Sequence, residues 1–522
     1  MKDLVLDFVT RMTGGNEPVA ALCRRTMLGL EEEGDVCIEL DAEGEDLLRT
    51  APDAVAFAGD GTEPADVRAP FVVQNGLLYT RRNWYYERLV LERLAALNRP
   101  LASAPVEFPA DTKLRLEQQD AVRAMCANRF SILTGGPGTG KTFTIAAAVD
   151  IVRRREPGLR LGLAAPTGKA RQRMSESMEK SGMADVPEAS TIHAMLGPTP
   201  EFVTFKHNRG NPLPFDWIVV DEASMVDLPL LAKLLDAVPD DCRITFAGDA
   251  DQLASVERGR VFADLCARPG LPISRLARSE RFPPGGEIAR LAAAINGKSV
   301  ECGEEAMGIL RAPGGVTSFT DLSGVEKVFR PKTWPGFADA VRDGYAEFAA
   351  CRDAASALEH LEDFRVLCAL RHGPFGSEKI ASWIRRTLSK NAPVPMMITQ
   401  NDRTLDVNNG DVGVVMPGDR KTLCLPGRKK GETIRTIRLE LLPETECAFA
   451  STVHKAQGSQ FRDVAVVLPT TGESPLLTCE ILYTAVTRTE RSVAIFGGEA
   501  AVRACCERSI RRRSGLVPPP LN

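Results

Sequence analysis

Residues 135–142 read Gly-Gly-Pro-Gly-Thr-Gly-Lys-Thr and fit the pattern G-x-x-x-x-G-K-[ST]. Glycines let a backbone curl until its N–H groups converge on phosphate oxygens, and a following helix N-terminus adds a favourable dipole. Gly135, Gly136, Pro137, Gly138, Thr139 and Gly140 are therefore expected to cradle the phosphates of ATP. Lys141 is expected at the β- and γ-phosphates, and the Thr142 hydroxyl on Mg²⁺. Further on, the apolar run Trp217-Ile-Val-Val ends in Asp221-Glu222. A buried strand there would bring Asp221 to the same Mg²⁺ and leave Glu222 to orient or deprotonate the attacking water. Gly248-Asp-Ala-Asp-Gln252 follows another apolar run, which places Gln252 to contact the γ-phosphate or the water and to report its loss.

This chemistry needs a particular scaffold. The phosphate loop requires a strand before it and a helix after it, and Ser131–Thr134 and Phe143–Val152 supply both. Short apolar runs recur at Phe130–Leu133, Leu161–Ala165, Ile218–Val220, Ile244–Ala247, Val366–Leu370, Val464–Leu468 and Val493–Phe496, separated by helical stretches. That texture predicts an α/β protein built of doubly wound parallel sheets in two lobes. The expected lobes are residues 113–275, with a hairpin insertion at about 197–214, and residues 276–522, with a small β insertion at about 414–446. The segment Asn98–Thr112 has three prolines and no periodicity, and reads as a linker. It sets off a small α-rich domain, residues 1–105, in which Tyr86, Leu89, Val90, Arg93, Leu94 and Leu97 recur at helical spacing.

Once the motifs are set in order they resemble superfamily 1 helicases. Asp221-Glu-Ala-Ser-Met225 and Gly248-Asp-Ala-Asp-Gln-Leu253 resemble motifs II and III, and Gln118 resembles the glutamine that reads adenine. Ala165-Pro-Thr-Gly-Lys-Ala-Arg171 and Thr191-Ile-His193 resemble DNA-contacting elements. Leu276-Ala-Arg-Ser-Glu-Arg281-Phe282, Asn409–Gly413, Ser451–Gly458 and Leu482-Tyr-Thr-Ala-Val-Thr-Arg488 resemble motifs IV, V and VI. Within the superfamily, Phe215–Met225, Arg365–Arg371 with Gly373-Pro374, Arg513–Leu516 and Gly34–Leu40 are similar to the RecD family, α subunits of RecBCD-type (exonuclease V) helicase–nucleases.

The resemblance implies RecA-like lobes with an SH3-like β insertion, and ATP-driven 5′→3′ movement on single-stranded DNA. It also implies RecB-like and RecC-like partners in a heterotrimer that works from duplex ends in break repair, recombination and degradation of linear DNA. Arg281 and Arg488 would reach the γ-phosphate from the second lobe. Thr167, Thr191, His193, Thr452 and His454 would hold the DNA backbone, and Phe202–Leu213 would be a projecting hairpin. Tyr79, Trp84, Tyr85 and Tyr86, beside Arg81 and Arg82, are residue types enriched at interface hot spots, so residues 1–105 are expected to dock on the partners.

The remaining features bound this reading. The chain has 522 residues, 44% hydrophobic and 26% charged, with a net charge of -4, so any DNA groove must be a local basic stripe. No basic-then-apolar leader and no membrane-spanning apolar run stand out, and the 13 Cys lack CxxC pairing, which fits a reduced, cytoplasmic protein. Arg508 and Arg511–Arg513 form a basic tail, open to solvent or to DNA. The alternatives are a solitary RecD-like helicase, a relaxase-helicase and a non-catalytic ATP-binding scaffold. A relaxase needs a His cluster near its start, and the first His is His193. A scaffold should have lost Glu222, Arg281 or Arg488, and all three are present. No further acidic cluster suggests a nuclease, so degradation is expected of a partner.

Overall fold

The computed structural model describes residues 9–29, 34–59, 62, 67–102, 104–181, 186–199, 204–255, 259–325, 329–402, 404–427 and 433–517. All seven expected apolar runs are strands, and they fall into two parallel sheets. The first sheet runs in the order 273–276, 130–135, 243–248, 217–220, 161–165, 190–191. The strand that leads into the phosphate loop therefore sits beside the one that ends at Gly248. Alternate residues serve opposite faces: Ile218 and Val220 pack with Phe130, Ile132 and Leu231, whereas Trp217 and Val219 pack with Val122, Ile145 and Val149. Such two-sided burial is why these strands read as continuous apolar runs.

The second sheet runs 317–321, 489–497, 461–467, 364–368, 450–452, again parallel throughout. The β insertion is a five-stranded antiparallel sheet that begins earlier than expected, at Val394, and ends at Cys447. The expected hairpin is seen in part. Thr199 N–H donates to Thr204 O (3.2 Å) and Lys206 N–H to Gly197 O (2.7 Å), while residues 200–203, including Phe202, lie outside the described residues.

The N-terminal unit carries a four-stranded sheet besides its helices, in the order 37–39, 77–80, 71–74, 55–57. Two of its strands are joined by Asn75-Gly76, both at positive φ (53° and 73°), the geometry of a two-residue hairpin turn. Its long helix, Arg81–Leu97, packs on helix Leu228–Ala237 of the first lobe. Arg93 is 2% exposed. Its guanidinium donates to Leu235 O (3.0 Å) and Val238 O (2.6 Å) and pairs with Asp240, so it caps the open carbonyls at that helix's end. Trp84, Val90 and Leu94 share one core with Phe130, Leu231 and Leu235. The N-terminal unit thus has a small core of its own, in which Val19, Leu48, Phe71 and Leu78 meet, and shares a second one with the first lobe. The proline-rich segment after them is laid along the first lobe, with Leu101 N–H on Ala127 O (2.7 Å).

The basic tail is a strap. Arg508 O accepts from Cys479 N–H (2.7 Å) and Ile510 N–H donates to Glu480 (3.0 Å) on the second lobe. Arg512 donates to Ser255 O (2.7 Å) and Gly259 O (3.0 Å) on the first. Arg513 N–H then donates to Asp35 (2.7 Å), and Ser514 Oγ donates to Glu87 (2.8 Å), in the N-terminal unit, before Leu516 enters the common core.

Glu87, buried under the end of the strap with Tyr79 and Cys37 beside it and Asp264 close by, is pushed up to about 7 by burial. The folded state therefore holds its proton more tightly than the unfolded chain, and stability falls as pH rises through the range from the ordinary carboxylate value to about 7. Glu87→Gln should raise the melting temperature at pH 8 and change it little at pH 5. Equal shifts at both pH values in thermal melts would contradict this.

Candidate active site

The phosphate loop joins strand Phe130–Gly135 to helix Lys141–Arg155. Gly138 and Gly140 stand at φ 74° and 84°. A Cβ on Gly138 would lie 2.5 Å from the Arg281 Cβ, and one on Gly140 would lie 2.6 Å from the Gln118 amide, so no larger residue fits either place. The Lys141 ammonium donates to Gly135 O (2.7 Å) and Gly136 O (3.2 Å), inside the curl of the loop.

Gln118 is 4% exposed and clasps the loop, with its amide on Thr139 O (3.2 Å) and its carbonyl accepting from Arg115 N–H (3.0 Å). Arg115 was not singled out from the sequence, yet its guanidinium donates to Thr139 O and Arg278 O, both at 2.9 Å. Ser279 Oγ on Pro137 O (2.8 Å) and Glu280 N–H on Gly138 O (2.8 Å) complete the clasp from the segment that carries Arg281.

Asp221 follows strand Trp217–Val220, and its Oδ1 accepts from Glu222 N–H (2.9 Å). Burial and the neighbouring Glu222 push its carboxyl above the usual range, against the pull of Lys141. Glu222 is left-handed, at φ 52°, a conformation costing a non-glycine residue about 1–3 kcal/mol that is found preferentially at functional sites. Thr142, Asp221 and Glu222 share the wall of a cavity of about 550 Å³ with Lys169, Arg173 and Arg365. Burial holds Lys169 down to about 7.

Gln252 is buried and donates to Asp249 Oδ2 (3.1 Å). Arg281 lies between strand Ile273–Leu276 of the first sheet and Phe282, which packs in the core of the second. Burial and Arg488 pull its guanidinium down to about 10, and its Nη1 is buried without a hydrogen-bond partner among the described residues. Arg488 is 3% exposed, with Nε on Thr484 O (3.3 Å) and Nη1 on Ser459 O (3.1 Å), and the charges of Glu222 and Asp249 oppose the depression that burial imposes on it. Both arginines therefore face the acidic end of the first lobe. A glycine cradle that admits no side chain, a lysine within it and a buried guanidinium nitrogen without a partner among the described residues suit a polyphosphate, and Thr142 with Asp221 suits a hard divalent cation.

The expected DNA residues sit at strand ends. Thr167 and Thr191 cap the next helices, accepting from Ala170 N–H (3.2 Å) and Ala194 N–H (3.1 Å), and Thr452 accepts from Lys455 N–H (3.4 Å). Each hydroxyl proton is left to donate elsewhere. His193 is exposed, with its ring 5.9 Å from Phe205, and burial lowers the proton affinity of His454. The two lobes meet here: a Cβ on Gly168 would strike Asn408 at 2.5 Å, and one on Gly458 would lie 3.9 Å from Ala170 N. Of the expected docking aromatics, Tyr79 and Trp84 are buried within the chain (5% and 2% exposed), whereas Tyr85 is 42% exposed.

The family described as AAA domain matches residues 118–258, and that described as UvrD-like helicase C-terminal domain matches residues 447–496. The chain is 36% identical over 534 residues to the RecBCD enzyme subunit RecD of Mycolicibacterium smegmatis, a match covering 96% of this chain and 92% of that protein. It is 29% identical over 438 residues to the ATP-dependent RecD2 DNA helicase of Deinococcus radiodurans, covering 81% of this chain and 56% of that protein. Among solved structures, the Pif1 helicase from Bacteroides in complex with ADP-AlF3 and ssDNA aligns with a TM-score of 0.41 and 17% identity, over 74% of this chain and 92% of that one.

Proposed function

Since the chain belongs to the RecD family of RecBCD enzyme subunits, we propose that it is the 5′→3′ motor of such a complex, drawing single-stranded DNA through by ATP hydrolysis. It is an ATP-dependent superfamily 1 DNA helicase. The observation that carries the motor reading is the meeting of Lys141, Asp221 and Glu222 with Arg281 and Arg488 across the junction of the two sheets. Asp221 and Thr142 would hold Mg²⁺, which neutralises charge on the β- and γ-phosphate oxygens when bound. Glu222 orients and deprotonates the attacking water, and Gln252 senses the γ-phosphate. Arg281 and Arg488 stabilise the transferring phosphoryl group, so hydrolysis loosens the grip of one lobe on the other. Thr167, Thr191, His193, Thr452 and His454 hold successive phosphates without reading bases, as a motor indifferent to sequence requires.

The partners are RecB-like and RecC-like subunits in a heterotrimer in the cytoplasm, acting on duplex ends in double-strand break repair, with nuclease activity in a partner. The match spans nearly the whole of the curated RecD subunit but about half of the solitary RecD2 helicase, which favours the subunit reading over a motor working alone. Partner docking falls to the exposed surface of the N-terminal unit around Arg81, Arg82 and Tyr85, since Tyr79 and Trp84 are turned inward.

The purified chain should hydrolyse ATP faster when single-stranded DNA is added. Its DNA affinity should fall steeply with salt and vary little with base composition. It should leave DNA intact with Mg²⁺ alone. Nuclease activity that follows the protein through successive columns, or hydrolysis indifferent to DNA, would overturn the reading.

A further inference from the structure

The Asp249 carboxylate, just past the first sheet, gathers both halves of the molecule. Its Oδ2 accepts from the Gln252 amide (3.1 Å) and also from the Tyr483 hydroxyl (3.1 Å), and its Oδ1 accepts from Asp251 N–H (3.1 Å). Tyr483 belongs to helix Cys479–Val486 of the second lobe and is 6% exposed. Its hydroxyl reaches the phosphate loop as well, since a Cβ on Gly136 would lie 3.1 Å from it. The next residue, Thr484, accepts from Leu253 N–H (2.9 Å), and its own carbonyl accepts from Arg488 Nε (3.3 Å).

We propose that Tyr483 is a positioning residue for hydrolysis: its hydroxyl, donated to Asp249, fixes the orientation of Gln252 and ties it to the segment that carries Arg488. The Gln252 carboxamide is the only group of that side chain able to meet the γ-phosphate or the water. A carboxylate that must be approached by an N–H fixes which end of the carboxamide faces away. Asp249 does this, and the second donor on the same oxygen comes from the other lobe. When the lobes close, Gln252 and Arg488 are therefore set in register by one short chain of bonds. Tyr483 holds its proton firmly, because burial and Asp249 push the phenol well above its ordinary value, so it stays a donor at neutral pH. The inference rests on the reading of the chain as an ATPase that uses Gln252 and Arg488.

The test is a double-mutant cycle on DNA-stimulated ATP hydrolysis by the full chain. Tyr483→Phe removes one oxygen and keeps the packed ring. It should lower kcat about tenfold, the effect of losing one hydrogen bond to a charged group, with KM for ATP within about threefold and a melting temperature only a few degrees below wild type. In the Gln252→Ala background the same change should lower kcat by less than about twofold, because the group being positioned is gone. A wild-type kcat in Tyr483→Phe, or an equal loss in both backgrounds, overturns the inference and leaves the ATPase reading standing. Absence of hydrolysis in the wild-type chain defeats that reading and the inference with it.

Discussion

Lys141→Ala should all but abolish ATP hydrolysis, with an expected fall of about 10²–10³ or more, the range seen when one preorganised charge-stabilising donor is removed from a buried site. The size follows from where the ammonium lies. It sits within the curl of residues 135–140, on Gly135 O and Gly136 O, with the Asp221 carboxylate close enough to feel its charge. Both of those hydrogen bonds go to carbonyls of the loop itself, not to core side chains. Truncation should therefore leave the melting temperature within a few degrees of wild type and leave single-stranded DNA binding nearly intact. Hydrolysis within tenfold of wild type, in protein of normal stability, would contradict the assignment of residues 135–142 as the phosphate cradle.

Substituting Arg488 should lower kcat by about 10³ or more while KM for ATP stays within a few-fold, because a guanidinium at that place acts on charge that develops only in the transition state. The structure shapes the choice of variant. Arg488 is buried and bonded to Thr484 O and Ser459 O, so Arg488→Ala also deletes two buried hydrogen bonds and should melt several degrees lower. Arg488→Lys keeps the charge and much of the volume but loses the planar fork. It should recover stability and recover little of the rate. A defect confined to KM in either variant would refute the role.

Much of this was legible in the sequence, for identifiable reasons. Parallel strands covered on both faces announce themselves as apolar runs, and Phe130–Leu133 or Val464–Leu468 could hardly be anything else. The phosphate loop was legible because its backbone geometry demands glycines at set places. Strand Ile273–Leu276, with a serine and an arginine in its middle and less complete burial, gave no such signal. The N-terminal sheet was missed although Asn75-Gly76 between two short apolar runs marks a hairpin.

Other features rest on contacts between residues far apart in the chain, which no local pattern carries. Arg508–Arg513 read as a loose basic tail, whereas Arg512 and Arg513 find their partners at Ser255 and Asp35. Tyr79 and Trp84 have the composition of a docking surface, yet Tyr79 is buried beside Cys37, Glu87 and Gly515 of the C-terminal strap, and Trp84 lies in the core shared with the first lobe. Tyr483 and Asp249 both stood within recognised motifs, but only the fold brings them to 3.1 Å.

A motor of this kind moves along single-stranded DNA as it hydrolyses ATP. The most direct measurement is displacement of streptavidin from oligonucleotides biotinylated at one end. With ATP and Mg²⁺, the chain should clear streptavidin from the 3′ end much faster than it is lost spontaneously, and should leave the 5′ end occupied. The Lys141→Ala variant should clear neither. Binding and hydrolysis without displacement from either end would contradict the claim that this protein is a motor.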